Sequence, residues 1–337
     1  MGRVENARRG AAKLRLGLIG VGKHGRRYAR HIREDFPDLE LVAIARRDSA
    51  LGAQAARELG CRFHADYREL VTAGDIDAVI VVVPPSLHVE VVVAAARARL
   101  PVLLEKPAAV SVEAGRALLR ELGQHPVPVM VAHTLRYNAV VRALMAQRSA
   151  IGAIHSISLS QRFEPSVLSW IDDPALAGGG ITLHTGVHSF DLLRVLTGLE
   201  AERVTCQMQR VCTRRTEDGF AAGISFAQGR ILATVSGART APGRSGHIEV
   251  AGESGTLLGD HVLHYAYLVR GTERQPLDLG PPALTVREAL RDFVTAVRAG
   301  EPMPVPLEEG LRAVAIADAC YLSAQTGVAA PVVPVNA

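Results

Sequence analysis

The sequence predicts an α/β fold in two parts: a doubly wound parallel sheet first, then an α+β domain on a large, mainly antiparallel open sheet. Three observations carry this. A G-x-G-x-x-G segment stands between a short apolar strand and a helical stretch. Strand and helix patterns then alternate up to about residue 132. From residue 153 the rhythm changes to period-two strands separated by turn residues.

Residues 14–19 are apolar and form the first strand, followed by Gly20-Val-Gly-Lys-His-Gly25 and a helix to about residue 35. In such a turn Gly20 permits the tight bend, Gly22 lets backbone approach a pyrophosphate, and Gly25 lets helix and strand pack closely. The amides at the helix start then face phosphate charge. A second strand covers 39–45 and a helix 49–59. The Val/Ile run 76–83 suits a strand covered on both faces. A helix over 87–98, a strand over 102–104, a helix over 111–122 and a strand over 127–132 complete this Rossmann-type half. Ligands bind at strand C-termini in such sheets, and Gly20, Arg46, Pro84, Glu105 and His133 all fall there. In the second half, Ile157, Leu159 and Phe163 alternate with polar neighbours. Strands over 204–211, 221–226, 230–236, 246–251 and 262–269 follow as an antiparallel meander. Thr285-x-x-Glu288 predicts a capping box for a helix to about residue 299. A last helix, 308–325, ends at Gly327 as a C-cap.

With 337 residues, and roughly 150 per domain as a prior, two domains are expected. They are a dinucleotide-binding domain over 13–135 and a substrate-binding and oligomerisation domain over 136–337, after a disordered tail over 1–12. The Arg-rich start has no apolar core before Leu14, and no apolar run approaches the ~18 residues of a membrane helix. A cytoplasmic protein is expected. The four cysteines are scattered without a CxxC pair, which points away from disulfide frameworks and zinc ribbons. The net charge of +4 is spread over dispersed arginines, and aromatics make up only 4%, too few for single-strand stacking platforms. A small-molecule substrate is expected, with neither nucleic acid nor membrane as partner. Only Lys13, Lys23 and Lys106 among the 38 basic residues are lysines. A lysine can release a proton when its surroundings lower its pKa, which arginine cannot do.

About twenty residues beyond Gly25, an NAD site presents an acid to the ribose. Here Arg46 and Arg47 occupy that place. A guanidinium there matches the 2′-phosphate of NADP, so NADP is favoured over NAD. The alternatives are two solvated arginines, or a register that returns Asp48 to the ribose.

At Glu105-Lys-Pro107 the sequence resembles the glucose–fructose oxidoreductase/inositol dehydrogenase (Gfo/Idh/MocA) family. The glycine loop, Val83-Pro-Pro-Ser-Leu-His88 and Arg136-Tyr-Asn138 carry the likeness further. So does Gly178-Gly-Gly-Ile-Thr-Leu-His-Thr-Gly-Val-His-Ser-Phe-Asp191, preceded by Trp170. The resemblance implies that Lys106 contacts the reacting hydroxyl or carbonyl, that Pro84 and His88 line the cofactor, and that the C-terminal sheet makes a homo-oligomer (dimer or tetramer). Gly186, His188 and Asp191 match the family pattern, but its first Asp is replaced by His184.

The expected catalytic set is therefore Lys106, His188 and His184. The cofactor set is Gly20, Gly22, Lys23, His24, Gly25, Arg46, Arg47, Pro84, His88, Glu105 and Lys106. The substrate set is Arg136, Tyr137, Trp170, His184 and His188. His184 and His188 are expected on one helix face, and either titrates near neutrality when unperturbed. Two histidines beside Lys106 discourage one another's charge unless an anion sits among them, so an acidic substrate partnered by Arg136 is expected. No metal is expected, since H-E-x-x-H is absent, and Asp191 reads as structural. The reaction expected is hydride transfer between a nicotinamide and a secondary alcohol or carbonyl of a sugar, inositol or related molecule. The alternatives are a non-catalytic NADP-binding sensor and an NAD-using glycosidase of the same fold.

Overall fold

In the computed structural model the described residues are 13–335; the tail expected over 1–12 lies outside them. The first sheet contains β1 (Leu14–Ile19), β2 (Leu39–Ala45), β3 (Arg62–His64), β4 (Ala78–Val81), β5 (Val102–Leu104) and β6 (Val129–Val131). Their order is β3-β2-β1-β4-β5-β6 and every pairing is parallel. The connecting helices are α1 (Gly25–Glu34), α2 (Ser49–Leu59), α3 (Tyr67–Thr72), α4 (His88–Arg97) and α5 (Val112–Gln124). Strand order reverses between β1 and β4, which opens a crevice at their C-terminal ends. Every residue of β4 is fully buried, as a strand covered on both faces requires. β4 is shorter than the predicted 76–83, because Pro84 and Pro85 cannot donate to a ladder and the chain turns at Pro85–Leu87. β3 and α3 were not predicted. β3 is three residues long, Arg-Phe-His, with too little alternation to register as a strand.

The second part contains α6 (Ala139–Ala146), β7 (Ile154–Arg162), α7 (Pro174–Ala177) and α8 (Val187–Thr197). Strands β8 (Arg203–Gln209), β9 (Gly219–Phe226), β10 (Ile231–Ala238), β11 (Ser245–Gly252), β12 (Gly255–Asp260), β13 (Tyr265–Arg270) and β14 (Glu273–Pro276) follow. Then come α9 (Thr285–Ala299), α10 (Leu307–Thr326) and β15 (Ala330–Pro331). The nine-stranded order is β14-β13-β12-β11-β7-β10-β9-β8-β15. It is antiparallel except where β7 inserts beside β10, parallel to it, so the sheet is not the simple meander predicted.

The predicted strand 262–269 is a turn followed by β13. Asp260 takes the amides of Gly246 (3.0 Å), Val262 and Leu263 (both 2.8 Å), and His264 sits at φ 59°, which bends the chain before β13 begins. The capping box at Thr285 does not form. Leu284 occupies the cap position without a side-chain bond, Thr285 lies inside the helix, and Glu288 turns to Arg287 and Arg291. α8 and α10 pack on each other and against β7 and β8. The opposite face carries the exposed Thr205, Gln207, Leu232 and Thr234.

Candidate active site

The glycine turn joins β1 to α1. Gly20 has φ +92°, and a Cβ there would lie 2.0 Å from the Val82 carbonyl oxygen. A Cβ on Gly25 would lie 2.0 Å from the Gly20 carbonyl oxygen, so the helix start is seated directly on the turn. At Gly22 the Cβ position meets nothing within 4 Å. A bare, open backbone face at a helix start fits a dinucleotide pyrophosphate, in geometry and in charge. Lys23 is exposed on this turn, and its charge acts on Glu164 across the cleft.

Beside the turn, Arg46 at the end of β2 donates Nη1 to the Val21 carbonyl (3.0 Å), so its guanidinium lies against the glycine loop. Arg47 is exposed. Asp48 caps α2 by accepting the Leu51 amide (3.0 Å), which commits its carboxylate to the helix.

Glu105 follows β5 and is buried. Its Oε1 meets His24 Nε2 and the Tyr28 hydroxyl, each at 2.7 Å, and its Oε2 accepts the Lys106 amide (3.2 Å). Burial opposes its ionisation, but the His24 ring, the Lys106 charge and the Tyr28 hydroxyl outweigh that and hold its pKa at about 2. This carboxylate therefore ties the cofactor turn, through His24, to the chain that carries Lys106. His88 is wholly buried, with Nδ1 2.8 Å from the Pro107 carbonyl and Nε2 3.0 Å from that of Val83. Its ring is thus engaged with main chain, bracing the loop of the half-buried Pro84 against the segment after Lys106.

Lys106 reaches across to the second domain, where Nζ donates to the His184 carbonyl (2.7 Å). Burial lowers its pKa, and the Arg239 charge adds to that against the opposing pull of Glu105. His184 lies in a π-type turn, Thr182–Gly186, that precedes α8. The expectation of one regular helix face is modified accordingly, since the two rings meet different neighbours. His184 packs edge-on to Trp170 (centroids 5.5 Å apart), and His188 edge-on to His133 (6.1 Å). His184 Nε2, His188 Nδ1 and both ring nitrogens of His133 are buried without a hydrogen-bond partner. Burial, with the Lys106 charge second, brings the His184 pKa to about 3 and pushes that of His188 well below its ordinary value. Both rings are therefore neutral near pH 7, each able to give or accept a hydrogen bond.

Arg136 does not stand open to a ligand anion, as its sequence context suggested. Its Nε donates to Asp191 Oδ2 (2.8 Å) and its Nη2 to Glu309 (3.2 Å), so two carboxylates already hold the fork. Tyr137 is buried, with the Arg142 guanidinium over its ring at 5.2 Å. The sequence reading missed Arg239. It lies just past β10 and donates Nη2 to Thr185 Oγ1 (3.2 Å), next in sequence to the carbonyl that Lys106 contacts. One arginine among many gives no sequence signal, and only the register of β10 beside β7 brings it to Lys106. Among the described residues, no group of three His, Cys, Asp or Glu is placed to hold a metal ion. No helix of the described residues is long and apolar enough to cross a membrane.

Comparison with known proteins accords with this geometry. Residues 14–133 match the oxidoreductase family, NAD-binding Rossmann fold, and residues 145–333 match its C-terminal alpha/beta domain. The chain is 28% identical over 329 residues to inositol 2-dehydrogenase of Rhizobium meliloti, covering 92% of this chain and 96% of that protein. It is 30% identical over 312 residues to 1,5-anhydro-D-fructose reductase of Ensifer adhaerens, covering 87% and 91%. In fold it is similar to levoglucosan dehydrogenase, solved in complex with NADH, with a TM-score of 0.86 at 24% identity over 96% of this chain and 100% of that one. The chain belongs to the Gfo/Idh/MocA family of oxidoreductases.

Proposed function

We propose that this oxidoreductase moves a hydride between NADP and a secondary alcohol or carbonyl carbon of a sugar, inositol or related small molecule. The carrying observation is Lys106. It is a half-buried ammonium, tied through Glu105 and His24 to the cofactor turn, with its Nζ at the segment that bears His184. A bound nicotinamide would supply the hydride chemistry. Lys106 holds or protonates the reacting oxygen, which is where charge develops. His188, assisted by His184, passes the proton onward as a neutral imidazole. Trp170 and His184 form the wall against which the substrate is aligned. The names of the relatives, which concern inositol and anhydro-sugar substrates, support the substrate class.

The test is turnover with NADPH or NADP⁺ across a panel of sugars, inositols and their keto forms. The replacement of the family Asp by His184 favours a second reading, a non-catalytic NADP-binding sensor. Tight cofactor binding with no turnover on the whole panel would select it.

Support for NADP over NAD comes from Arg46 at the loop and from Asp48, whose carboxylate is used up in the α2 cap. Arg46→Asp is expected to shift the ratio of NADPH to NADH affinity by about 100-fold toward NADH, since charge-assisted bonds to a phosphate are lost and repulsion is added. An unchanged ratio in a cofactor titration removes this argument. We also place a homo-oligomer, a dimer or tetramer, on the open face of the nine-stranded sheet. Light scattering is expected to give a mass of two or four chains, and a monomer at micromolar concentration would refute it.

A further inference from the structure

We propose that the cleft beside Lys106 takes a sugar or polyol bearing a carboxylate, and that Arg239 recognises that carboxylate. The inference rests on the oxidoreductase reading above and names its substrate class. Lys106 Nζ is fixed at 2.7 Å to the His184 carbonyl and Arg239 Nη2 at 3.2 Å to the neighbouring Thr185 hydroxyl. Two cations from different domains thus converge on consecutive residues of one turn. Among the described residues neither has a carboxylate at ion-pair distance, whereas Arg15, Arg136 and Arg194 each meet one.

The acids of the surrounding segments are committed elsewhere. Glu217 accepts the amides of Gly180 and Thr182 (both 3.0 Å) and the Tyr321 hydroxyl (2.8 Å). Asp218 accepts the amides of Val211 (2.8 Å) and Thr213 (2.9 Å), Glu164 pairs with Arg244, and Glu105 is held by His24 and Tyr28. A half-buried guanidinium without a counter-charge is costly, and an arriving oxyanion relieves that cost. Burial lowers the pKa of both Lys106 and Arg239, and the opposing pull of Glu105 on the one and of Glu164 on the other, neither at ion-pair distance, does not offset it. The planar fork of Arg239 matches the two oxygens of one carboxylate, which leaves the Lys106 ammonium for the reacting oxygen. The unpartnered His184 Nε2 is a further hydrogen-bonding point in the same wall, suited to a substrate hydroxyl.

The test is calorimetric titration of the NADPH-loaded full chain with matched pairs that share a carbon skeleton: gluconate against glucitol, glucuronate against glucose, galacturonate against galactose. In the best pair the acid is expected to bind at least about 10-fold tighter, and the gap narrows with added salt. Arg239→Met is expected to weaken the acid by about 100-fold and to collapse the acid-to-neutral ratio, while Arg239→Lys restores part of it. Neutral partners binding as tightly as the acids in every pair would overturn the proposal, and so would an acid preference that survives Arg239→Met. Glucose 6-phosphate binding tighter than glucuronate would overturn it in favour of phosphate. If Arg239→Met fails to fold, the wild-type pairs and Arg239→Lys still decide. Turnover of neutral sugars without acid preference sinks only this inference. Acid binding through Arg239 without turnover of any panel member sinks only the oxidoreductase reading of the site.

Discussion

Replacing Lys106 by Met is expected to lower kcat by about 10²–10⁴-fold, the usual worth of a positioned proton donor, while NADPH still binds. Methionine keeps the length and apolar body of the side chain and removes only the ammonium. The Glu105 links to His24 and Tyr28, and the His88 brace on Pro107, do not involve Nζ and should persist. Loss of kcat with cofactor affinity retained separates a chemical role from a structural one. The pH profile adds a second readout. In the wild type, carbonyl reduction needs the protonated amine, so the rate falls as pH rises through the Lys106 pKa. Burial places that limb below the ordinary 10.5 of lysine. In Lys106→Met the residual rate should lose the limb. Full activity with an unchanged profile would remove Lys106 from the mechanism.

Replacing Arg136 by Met is expected to cost about 3–5 kcal/mol of stability, the penalty for stripping one partner from a buried ion pair. Asp191 is 1% exposed, and without the Arg136 fork its nearest charged or titratable neighbour is His133, at 3.8 Å. Urea unfolding measures the loss through the midpoint at constant slope. The effect also has a pH signature. Burial raises the Glu309 pKa, but Arg194 and then Arg136 outweigh it and bring it to about 2. A carboxyl depressed in this way contributes stability that is present above its ordinary 4.5 and lost as pH falls toward 2. With Arg136 gone, acid unfolding should begin at higher pH. A variant as stable as the wild type would mean that Arg136 is free, as a substrate-binding role requires.

Those two residues illustrate how far the chain could be read before its structure. Lys106 stood out because lysine is scarce here and Glu-Lys-Pro follows a strand. Arg136 looked equally available. Nothing local announces that Asp191, on α8, will close its fork, because the pairing joins residues brought together by packing. The same limit explains β12. It is absent from the strands the sequence predicts, and its ladder with β11 and β13 is what makes it a strand.

Periodicity and glycine placement alone were enough for the glycine turn, the crevice and all of the parallel half except the short β3 and α3. These depend on contacts between near neighbours in the chain: strand to turn to helix, each with a local preference that agrees with the next. Pairing across long sequence separations was settled in space: β7 inserted beside β10, Arg136 closed on Asp191, and Arg239 drawn to the turn that Lys106 touches. The physical reason is that a hydrogen bond or an ion pair records no sequence period. Which of many arginines is neutralised, and which keeps its charge for a ligand, follows from where the folded chain leaves an acid within reach.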